Sequence, residues 1–437
     1  MATPTRKDSA GPPGSPRRLR RDGEPVRVYY GFNAVATFCY TLTFTVNLLY
    51  MAVVVGLSPL QMVLVGTVLE ITCFVFEIPT GIVADLHSRR TSVILGFVLI
   101  GIGFLVQTGP SFAAVLVAQV IWGVGATFTS GAAQAWITDE VGADAVGRVF
   151  VRTTQIDLVA GITGTVVAGL LSLWFLSLPM LVSGFGLLGL AVWLALVMPE
   201  RHFVPVPVED RDTFGQMAQT ARDGWRLARS RRTVMGLLVI SGFVGLASEA
   251  FDRLWTVRIV QDFPLPPLLG ADNPGAWFAA VALVGSVVAL GLSLLVGRLR
   301  ARRPSNVPPA RFLAGCAAVQ VLCVVGVAVA GTLGVALAAL WAKGAAQAVA
   351  APVEAAWLNG ELRSDVRATV LSMNAQVNAI GQVGGGPPLG ALAGRTSVPV
   401  ALLAAAALLT PTVGIFGWLS RDKAPADSTF APLAKEA

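Results

Sequence analysis

The chain carries the stretch Gly81-Ile82-Val83-Ala84-Asp85-Leu86-His87-Ser88-Arg89-Arg90 between two long apolar segments. One acid and two arginines are compressed into a turn that is too short to be a linker between domains. Membrane-spanning helices are joined by such short loops, whose arginines stay on the cytoplasmic side. The stretch therefore predicts a charged turn between two membrane spans.

The composition of the whole chain also indicates a membrane protein. Of its 437 residues, 54% are hydrophobic and 13% are charged, whereas a soluble domain carries about 25% charged residues. The apolar residues form uninterrupted blocks of roughly 20, the length that crosses a bilayer. The net charge of +7 then belongs to loops near lipid headgroups, and no nucleic-acid partner is expected. The four cysteines lack the spacing of a metal cluster, so we expect no metal and no cofactor.

The apolar blocks predict an all-α integral membrane protein with about twelve transmembrane helices in two pseudo-symmetric six-helix bundles. The expected spans are 29–55, 60–84, 91–108, 112–138, 150–174, 177–198, 233–257, 276–298, 310–330, 333–357, 367–393 and 398–419. We expect a disordered basic tail over 1–27, bundles over 28–198 and 233–420, a central cytoplasmic loop over 199–232, and a tail over 421–437. In the central loop, Phe214, Met217, Ala221 and Trp225 share one face of an amphipathic helix, which lies on the membrane surface or serves as a solvated linker.

The basic residues predict the orientation. With a cytoplasmic N-terminus, 28 of the 32 Lys and Arg residues fall in inward-facing segments, and only Arg258 and Arg395 fall in outward loops. Arg253 and Lys343 lie within spans. Because cytoplasmic loops are enriched in Lys and Arg, both termini are expected in the cytoplasm of a multi-pass protein of the cell membrane.

The two halves of the chain repeat each other at an offset of about 220 residues, as the halves of alternating-access transporters do. The matched pairs include Trp122 with Trp341, Glu140 with Glu361, Arg148 with Arg367 and Gly161 with Gly381. Such repeats place a substrate site between the halves, near the middle of the membrane.

The stretch from Gly81 to Arg90 resembles the loop motif between spans 2 and 3 of major facilitator superfamily transporters, Gly-x-x-x-Asp-x-x-Gly-Arg-Arg/Lys. Gly81, Asp85, Arg89 and Arg90 match this motif, and Ser88 stands where the family usually has Gly. The resemblance covers residues 28–420. The segments 77–81 and 249–255 look like those of uncharacterised and drug-efflux-like members. The resemblance implies transport by alternating access, with the motif acting in the conformational change.

Two further elements differ from the family pattern. Many proton-coupled relatives carry Arg-x-x-x-Gly in span 4, where this chain has Gln119 before Gly123. Many antiporters carry a Gly-Pro-Gly element in span 5, whereas the similar run of this chain lies in span 11. That run is expected to interrupt or kink the helix and to allow close helix packing, through Gly384, Gly386, Pro387 and Gly390.

Ionisable side chains within the predicted spans are the candidates for coupling protons to substrate. A charge in hydrocarbon costs roughly 2.5–3.5 kcal/mol on insertion scales, so each needs a partner or a purpose. The candidates lie in spans 2, 7 and 10: Glu70, Glu77, Glu249, Asp252, Arg253, Lys343 and Glu354. Candidate cavity-lining residues come from spans 1 and 10: Asn33, Thr37, Tyr40, Asn47 and Gln347.

These residues predict a water-accessible cavity lined by spans 1, 2, 7 and 10. Glu70 lies near mid-membrane, where burial favours a neutral carboxyl that can take up a proton from the periplasmic side. In the alternative interpretation, Glu249–Arg253 and a pair between Lys343 and a carboxylate only hold helices in register. Glu77 lies beside the hinge and fits structural support and gating equally well.

Asp85 is expected to act as part of an inner latch. Span 11 begins at the cytoplasmic face, so its N-terminus presents a partial positive charge to an acid. This contact would hold the two halves together on the inside, and Arg89 and Arg90 would pair with acids such as Asp139 or Glu140. In the alternative interpretation the turn is a plain positive-inside loop.

The chain has no nucleotide-binding loop, so we expect no enzyme and a transporter driven by a gradient. The predicted function is proton-coupled efflux (antiport) of a hydrophobic small molecule or drug, as in multidrug resistance. One alternative is a proton-coupled symporter that imports a small polar or anionic metabolite, which Lys343 favours. Another is a membrane sensor or scaffold without transport. The expected partners are the solute, protons and the lipid bilayer, and the expected functional unit is a monomer.

Overall fold

A computed structural model describes residues 16–203, 222, 224–226, 228–266, 268, 274–302, 307–362 and 364–421. The first helix begins at Pro16, within the segment 1–27 that was expected to form the tail. Proline is favoured at the first position of a helix, and the arginines that follow are good helix formers. Residues 1–15 and 422–437 lie outside the described part of the chain.

The first half of the chain forms seven helices, with one span divided in two. Span 4 is interrupted at Gly131, whose φ of 71° lies in the region that favours glycine. Ser58, Ser88 and Ser111 begin helices by accepting hydrogen bonds from backbone N–H groups three residues on. The helices are α1 (Pro16–Val53), α2 (Pro59–Leu86), α3 (Arg89–Gln107), α4 (Phe112–Thr129), α5 (Ala132–Val141), α6 (Ala143–Leu171) and α7 (Leu178–Val197).

Six long helices lie in the described part of the second half. They are α8 (Arg232–Asp262), α9 (Gly275–Arg302), α10 (Pro309–Val329), α11 (Leu333–Glu361), α12 (Ser364–Arg395) and α13 (Val398–Leu419). Arg258, which the sequence placed in an outward loop, lies inside α8. The helix extends past it because its guanidinium donates to the carbonyls of Ala328 and Ala330 and pairs with Asp262.

Eleven segments in the described part of the chain are long and apolar enough to cross a membrane, with α4 and α5 together forming one of them. The twelfth expected span, α12, falls short because Asn374, Gln376, Asn378 and Gln382 make it more polar. It packs closely along α8, so it completes the second bundle. The all-helical membrane architecture predicted from the sequence is confirmed.

The glycine-rich run of span 11 brings α12 and α8 into close contact. A Cβ atom at Gly381 would lie 2.6 Å from the carbonyl oxygen of Gly242, and one at Gly385 would collide with the carbonyl of Leu246. The expected close packing is present, but the expected interruption is not, because α12 continues through Pro387. Neighbouring helices compensate for the missing N–H of a proline in a transmembrane helix.

We call the end of the molecule that carries the α2–α3 turn the inner end, following the predicted orientation, which stays a prediction. At the opposite, outer end, apolar clusters contain residues of both halves. One joins Met62 and Val63 of α2 to Leu254 of α8. Another joins Leu49 of α1 to Ile259 of α8.

At the inner end each half has its own core. Trp136 and Leu194 belong to a cluster built from the first half alone, and Leu237 and Phe416 belong to one built from the second half alone. The halves are therefore packed together at the outer end and have separate cores at the inner end. With the predicted orientation, this arrangement is inward-open.

The matched acids Glu140 and Glu361 hold the two ends of the segment that joins the halves. Glu140 Oε1 accepts a hydrogen bond of 2.6 Å from the backbone N–H of Arg201, just after α7. A carboxylate oxygen of Glu361 lies 3.5 Å from the guanidinium of Arg231, just before α8. The internal repeat thus gives each half an acid that binds one end of the connection.

Only the last part of the predicted amphipathic helix can be assessed, because Phe214, Met217 and Ala221 lie outside the described residues. Gly224 packs against Thr369 of α12, where a Cβ atom would lie 2.8 Å from Thr369 Cγ2. Trp225 is exposed. This part of the connection therefore rests on the second half through a face that does not include Trp225.

Candidate functional site

The turn between α2 and α3 explains why serine replaces the usual glycine of the motif. The Ser88 hydroxyl accepts from the N–H of Thr91 at 2.9 Å and donates to Glu200 Oε2 at 2.7 Å. The backbone N–H of Arg90 donates to the other oxygen of Glu200, also at 2.9 Å. Ser88 thus both starts α3 and fastens it to the end of α7.

The two arginines of the motif have different partners. Arg89 forms an ion pair with Asp139, one of the acids considered for it. Arg90 instead donates to the carbonyl of Ala195 at 2.5 Å. The motif therefore ties α3 to the inner ends of α5 and α7, within the first half.

No contact of Asp85 with span 11 occurs among the side chains that the structure describes, which do not include those of 363–366 at the start of this span. The ionic partner of Asp85 among the described residues is Arg89, at 3.8 Å, and the side chain of Asp85 is 56% exposed. A Cβ atom at Gly81 would meet nothing within 4 Å. The acid is free to meet α12 when the inner ends approach, so its part in a latch stays a prediction.

A buried ion pair lies where the two halves meet. Arg253 Nε donates to Glu249 Oε1 at 2.9 Å, and both side chains are largely buried. Gly66 of α2 makes room for this pair, because a Cβ atom there would overlap the carboxylate of Glu249. Gly386 of α12 does the same from the other side, with Glu249 Cγ 3.2 Å from its would-be Cβ.

Glu70 lies one helical turn beyond Gly66 on the same face of α2. Gly66 itself lies against both the carboxylate of Glu249 and the guanidinium of Arg253, which places Glu70 one turn from the ion pair. Three of the predicted coupling residues thus gather at the junction of α2 and α8. The Glu249–Arg253 bond lies within one helix, so its effect on the two halves comes from its contacts with Gly66 and Gly386.

Lys343 and Asp252 form a second charge pair, between α11 and α8. Lys343 Nζ lies 3.6 Å from Asp252 Oδ1 and 4.4 Å from the ring centroid of Phe251. Both charged residues line a cavity of about 280 Å³ bounded by α1, α8, α9 and α11. Phe44 and Trp341 complete much of its wall.

The remaining candidate residues from the sequence lie in different surroundings in the structure. Asn47 is 5% exposed, and Phe44, Thr45 and Leu48 are the neighbouring residues of α1 in the wall of the cavity of about 280 Å³. Asn47 Oδ1 accepts a hydrogen bond from the N–H of Leu48, which lets a polar residue be buried. Gln347 and Glu77 are exposed and Glu354 is partly buried, all on the inner side of the ion pairs. Asn33 donates to the carbonyl of Tyr29 in its own helix.

Sequence reasoning missed one acid inside a span. Asp157 stands at the middle of α6, and its Oδ1 accepts a hydrogen bond of 3.0 Å from the Thr37 hydroxyl of α1. The signal was present, because Asp157 is followed by a long apolar run within the expected span 150–174. Of the predicted cavity-lining residues, Thr37 is the one bound to an acid of another helix.

No group of three or more His, Cys, Asp or Glu side chains suited to a metal occurs in the described part of the chain. The ionisable groups are arranged as pairs or as single carboxyls. Such groups can bind or release protons and can pair with a charged solute.

The Major Facilitator Superfamily model matches residues 30–386, and the chain belongs to this family of membrane transporters. The uncharacterized MFS-type transporter YxaM of Bacillus subtilis is 23% identical over 239 residues, which are 52% of this chain and 57% of YxaM.

Solved transporter structures share the fold. The nucleoside transporter NupG has a TM-score of 0.69 at 14% identity, covering 91% of this chain and 99% of NupG. A bacterial homolog of the human lysosomal transporter Spinster, in its inward-facing and unoccupied conformation, has a TM-score of 0.68 at 14% identity, covering 93% and 98%. Membership of this transporter family and its apolar helices make the chain a multi-pass membrane protein, as predicted, and these distant structures establish its fold alone.

Proposed function

We propose that this protein exports a hydrophobic small molecule across the cell membrane in exchange for protons, working as a monomer by alternating access. The observation that supports the proposal best is the position of Glu70, one helical turn beyond the Gly66 that packs on the Glu249–Arg253 ion pair, at the contact between the halves. A proton taken up there changes the charge at a surface that must open and close. Transport and protonation are thereby linked.

The physical basis of the link is competition for Arg253. When Glu70 is ionised, it and Glu249 both attract the guanidinium, and the junction of α2 and α8 holds two acids for one base. When Glu70 is protonated, the junction holds one charged acid and one charged base. The Glu249–Arg253 pair, which packs against Gly66 and Gly386, is then neutral overall. Protonation therefore favours the packed outer contact, and loss of the proton weakens it, because unbalanced buried charge is unfavourable.

The alternating cycle would use the two ends of the molecule in turn. Here the outer end is closed by apolar clusters shared between the halves. In the opposite conformation these clusters part and the inner ends meet, where Asp85 reaches the N-terminus of α12. The helix end attracts an acid with about 0.3–1 kcal/mol, enough to favour closure without locking it.

The importer of an anionic metabolite is supported less well. Its sequence argument was a fixed positive charge at Lys343, yet Asp252 lies 3.6 Å from this ammonium group. Phe251 lies against the same group. A base that is already paired with an acid offers an anionic solute much less attraction.

Everted membrane vesicles test the proposal. With the vesicle lumen acidified, wild-type protein should accumulate a hydrophobic dye such as Hoechst 33342, and Glu70→Gln should reduce the uptake at least about tenfold. Glu24→Gln, a change of the same type at an exposed residue, is the matched control and should keep wild-type uptake. Full uptake by Glu70→Gln would remove Glu70 from the coupling.

Whole cells distinguish export from import. A protonophore should raise the dye content of cells that carry the protein, because a collapsed gradient stops efflux. A symporter would respond in the opposite way, since its solute would fall when the gradient is lost. Absence of any gradient-dependent flux would favour the sensor or scaffold.

A further inference from the structure

Asp157 is an acid at the centre of the membrane-spanning part of the first half. It is the middle residue of α6, with fourteen helical residues on each side. The side chain is neither fully buried nor fully exposed. A carboxylate at this depth is costly and calls for a specific partner.

The contact with α1 fixes where the Asp157 carboxylate lies. Thr37 Oγ1 donates to Asp157 Oδ1 at 3.0 Å. Two turns further along α6, Gly164 packs on α1, with a would-be Cβ 2.9 Å from the carbonyl oxygen of Phe38. Arg152 of the same helix does not engage the acid, since its guanidinium donates to Gln155 at 2.7 Å. Asp157 is therefore held at the α1–α6 seam by one neutral hydroxyl.

Two basic groups within the spans of the second half are paired with other acids. Arg253 is paired with Glu249, and Lys343 is paired with Asp252. No ion pair to Asp157 occurs among the described residues, which leaves its negative charge without a protein counter-ion. A proton or a positively charged solute can balance it.

Aromatic side chains of α1, the helix that carries Thr37, offer a surface for such a solute. Tyr40 and Phe44, one and two turns beyond Thr37 on α1, stack with ring centroids 5.9 Å apart. The ring centroid of Phe44 lies 5.4 Å from that of Trp122. Phe44 is 43% exposed and lines the cavity of about 280 Å³ that also contains Lys343 and Asp252 in its wall. Two helical turns rise about 11 Å, the size of a drug-like molecule, and aromatic faces attract cations.

We propose that Asp157, positioned by Thr37, binds the positive group of a lipophilic monocation whose apolar body lies against Tyr40 and Phe44. This inference rests on the proposed export function, to which it adds the charge class of the solute and the residue that recognises it. Thr37 acts as a positioning residue, because its hydroxyl orients the carboxylate and does not itself carry charge.

Titration calorimetry with tetraphenylphosphonium, a permanent lipophilic monocation, tests the site on the purified full chain. Wild-type protein should bind the probe, and Asp157→Asn should weaken binding at least about tenfold, the range of a charge-assisted contact. Asp144→Asn is the matched control, a change of the same type at an exposed residue of α6, and should bind as wild type does. The neutral triphenylphosphine oxide should bind wild type and Asp157→Asn alike.

Variants of Thr37 test the positioning role separately. Thr37→Val should weaken binding of the cation by about two- to fivefold and leave the neutral compound unaffected, whereas Thr37→Ser should restore wild-type affinity. Asp157→Glu keeps the charge and should bind more tightly than Asp157→Asn, which keeps the test valid if the asparagine variant unfolds.

The outcomes separate this inference from the export function. The inference is overturned if wild type does not bind tetraphenylphosphonium, or if Asp157→Asn binds it within twofold of wild type. Proton-driven dye uptake combined with either result leaves the export function standing. Asp157-dependent binding without any proton-driven uptake would overturn the export function and leave the cation site standing.

Discussion

Replacing Gly66 with alanine should shift the protein out of its inward-open conformation. Gly66 is where α2 of the first half meets the Glu249–Arg253 ion pair of the second half. A Cβ atom at this position would overlap the carboxylate of Glu249 and lie 2.6 Å from Arg253 Nη2. The ion pair therefore has to move, or α2 and α8 have to separate.

The size of the effect follows from how tightly the pair is enclosed. Glu249 is 5% exposed, and its Cγ lies against Gly386 of α12, so the carboxylate cannot simply retreat. Overpacking of a well-packed contact costs about 1–3 kcal/mol. This cost falls on the form in which α2 and α8 are in contact. The ratio of inward-open to outward-open molecules should then fall by about 5–150-fold.

Distances between spin labels can measure this shift. One label pair, at His87 and Gly360, reports on the inner ends of the two halves. A second pair, at Pro110 and Gly331, reports on the outer ends. In a background without the four native cysteines, Gly66→Ala should shorten the inner distances and lengthen the outer ones, as measured by double electron–electron resonance.

The control is Gly189→Ala in α7, because a Cβ atom there meets nothing within 4 Å. It should leave both distance distributions unchanged. If Gly66→Ala also leaves them unchanged, the ion pair yields without opening the interface. The reasoning that this contact governs the conformation would then be refuted.

Three further changes have defined outcomes. Gly381→Ala should lower the melting temperature in detergent by several degrees, because its Cβ would press on the α8 backbone, whereas Gly394→Ala, with open space around it, should not. Arg258→Leu should destabilise the protein by about 1–3 kcal/mol in thermal unfolding, because the carbonyls it binds lose their donor, and Arg258→Lys should cost less. Asp85→Asn should raise the ratio of inward-open to outward-open molecules by about two- to fivefold in the label-distance assay without changing the melting temperature, since the acid acts on a helix end only in the closed inner state.

Much of the fold could be predicted because its signals are local. Apolar blocks longer than a bilayer, separated by Ser, Gly and Pro at helix starts, place most helices to within a few residues, although α1 begins 13 residues and α6 begins 7 residues before the expected spans. The charged turn from Gly81 to Arg90 marks one connection, and charge suggested acids such as Asp139 or Glu140 as partners of its arginines, of which Asp139 binds Arg89. The sequence placed Arg258 in an outward loop, whereas it is buried within α8. The carbonyls that accept from it, those of Ala328 and Ala330, lie 70 and 72 residues further along the chain, so the sequence around Arg258 does not reveal them.

The site could be predicted only in part, because its chemistry depends on which helix faces meet. Glu249 and Arg253 are visible as an i,i+4 pair, but nothing in the sequence tells that Gly66 makes room for them. Asn47 has the same polar character as Thr37, yet one is buried against its own backbone and the other binds an acid of another helix. The helical period shows on which face of a helix a residue lies. It does not show which other helix packs against that face.

The contacts of Glu140 and Glu361 with the two ends of the connection affect how the whole molecule is assembled. Each acid belongs to the half that it serves, and among the described residues the halves meet through their outer clusters. Residues 204–223 can span about 70 Å when extended, far more than the halves need to part. A chain cut within this segment should therefore reassemble from two separately synthesised polypeptides, which makes the two-bundle transporter equivalent to a dimer whose subunits happen to share one gene.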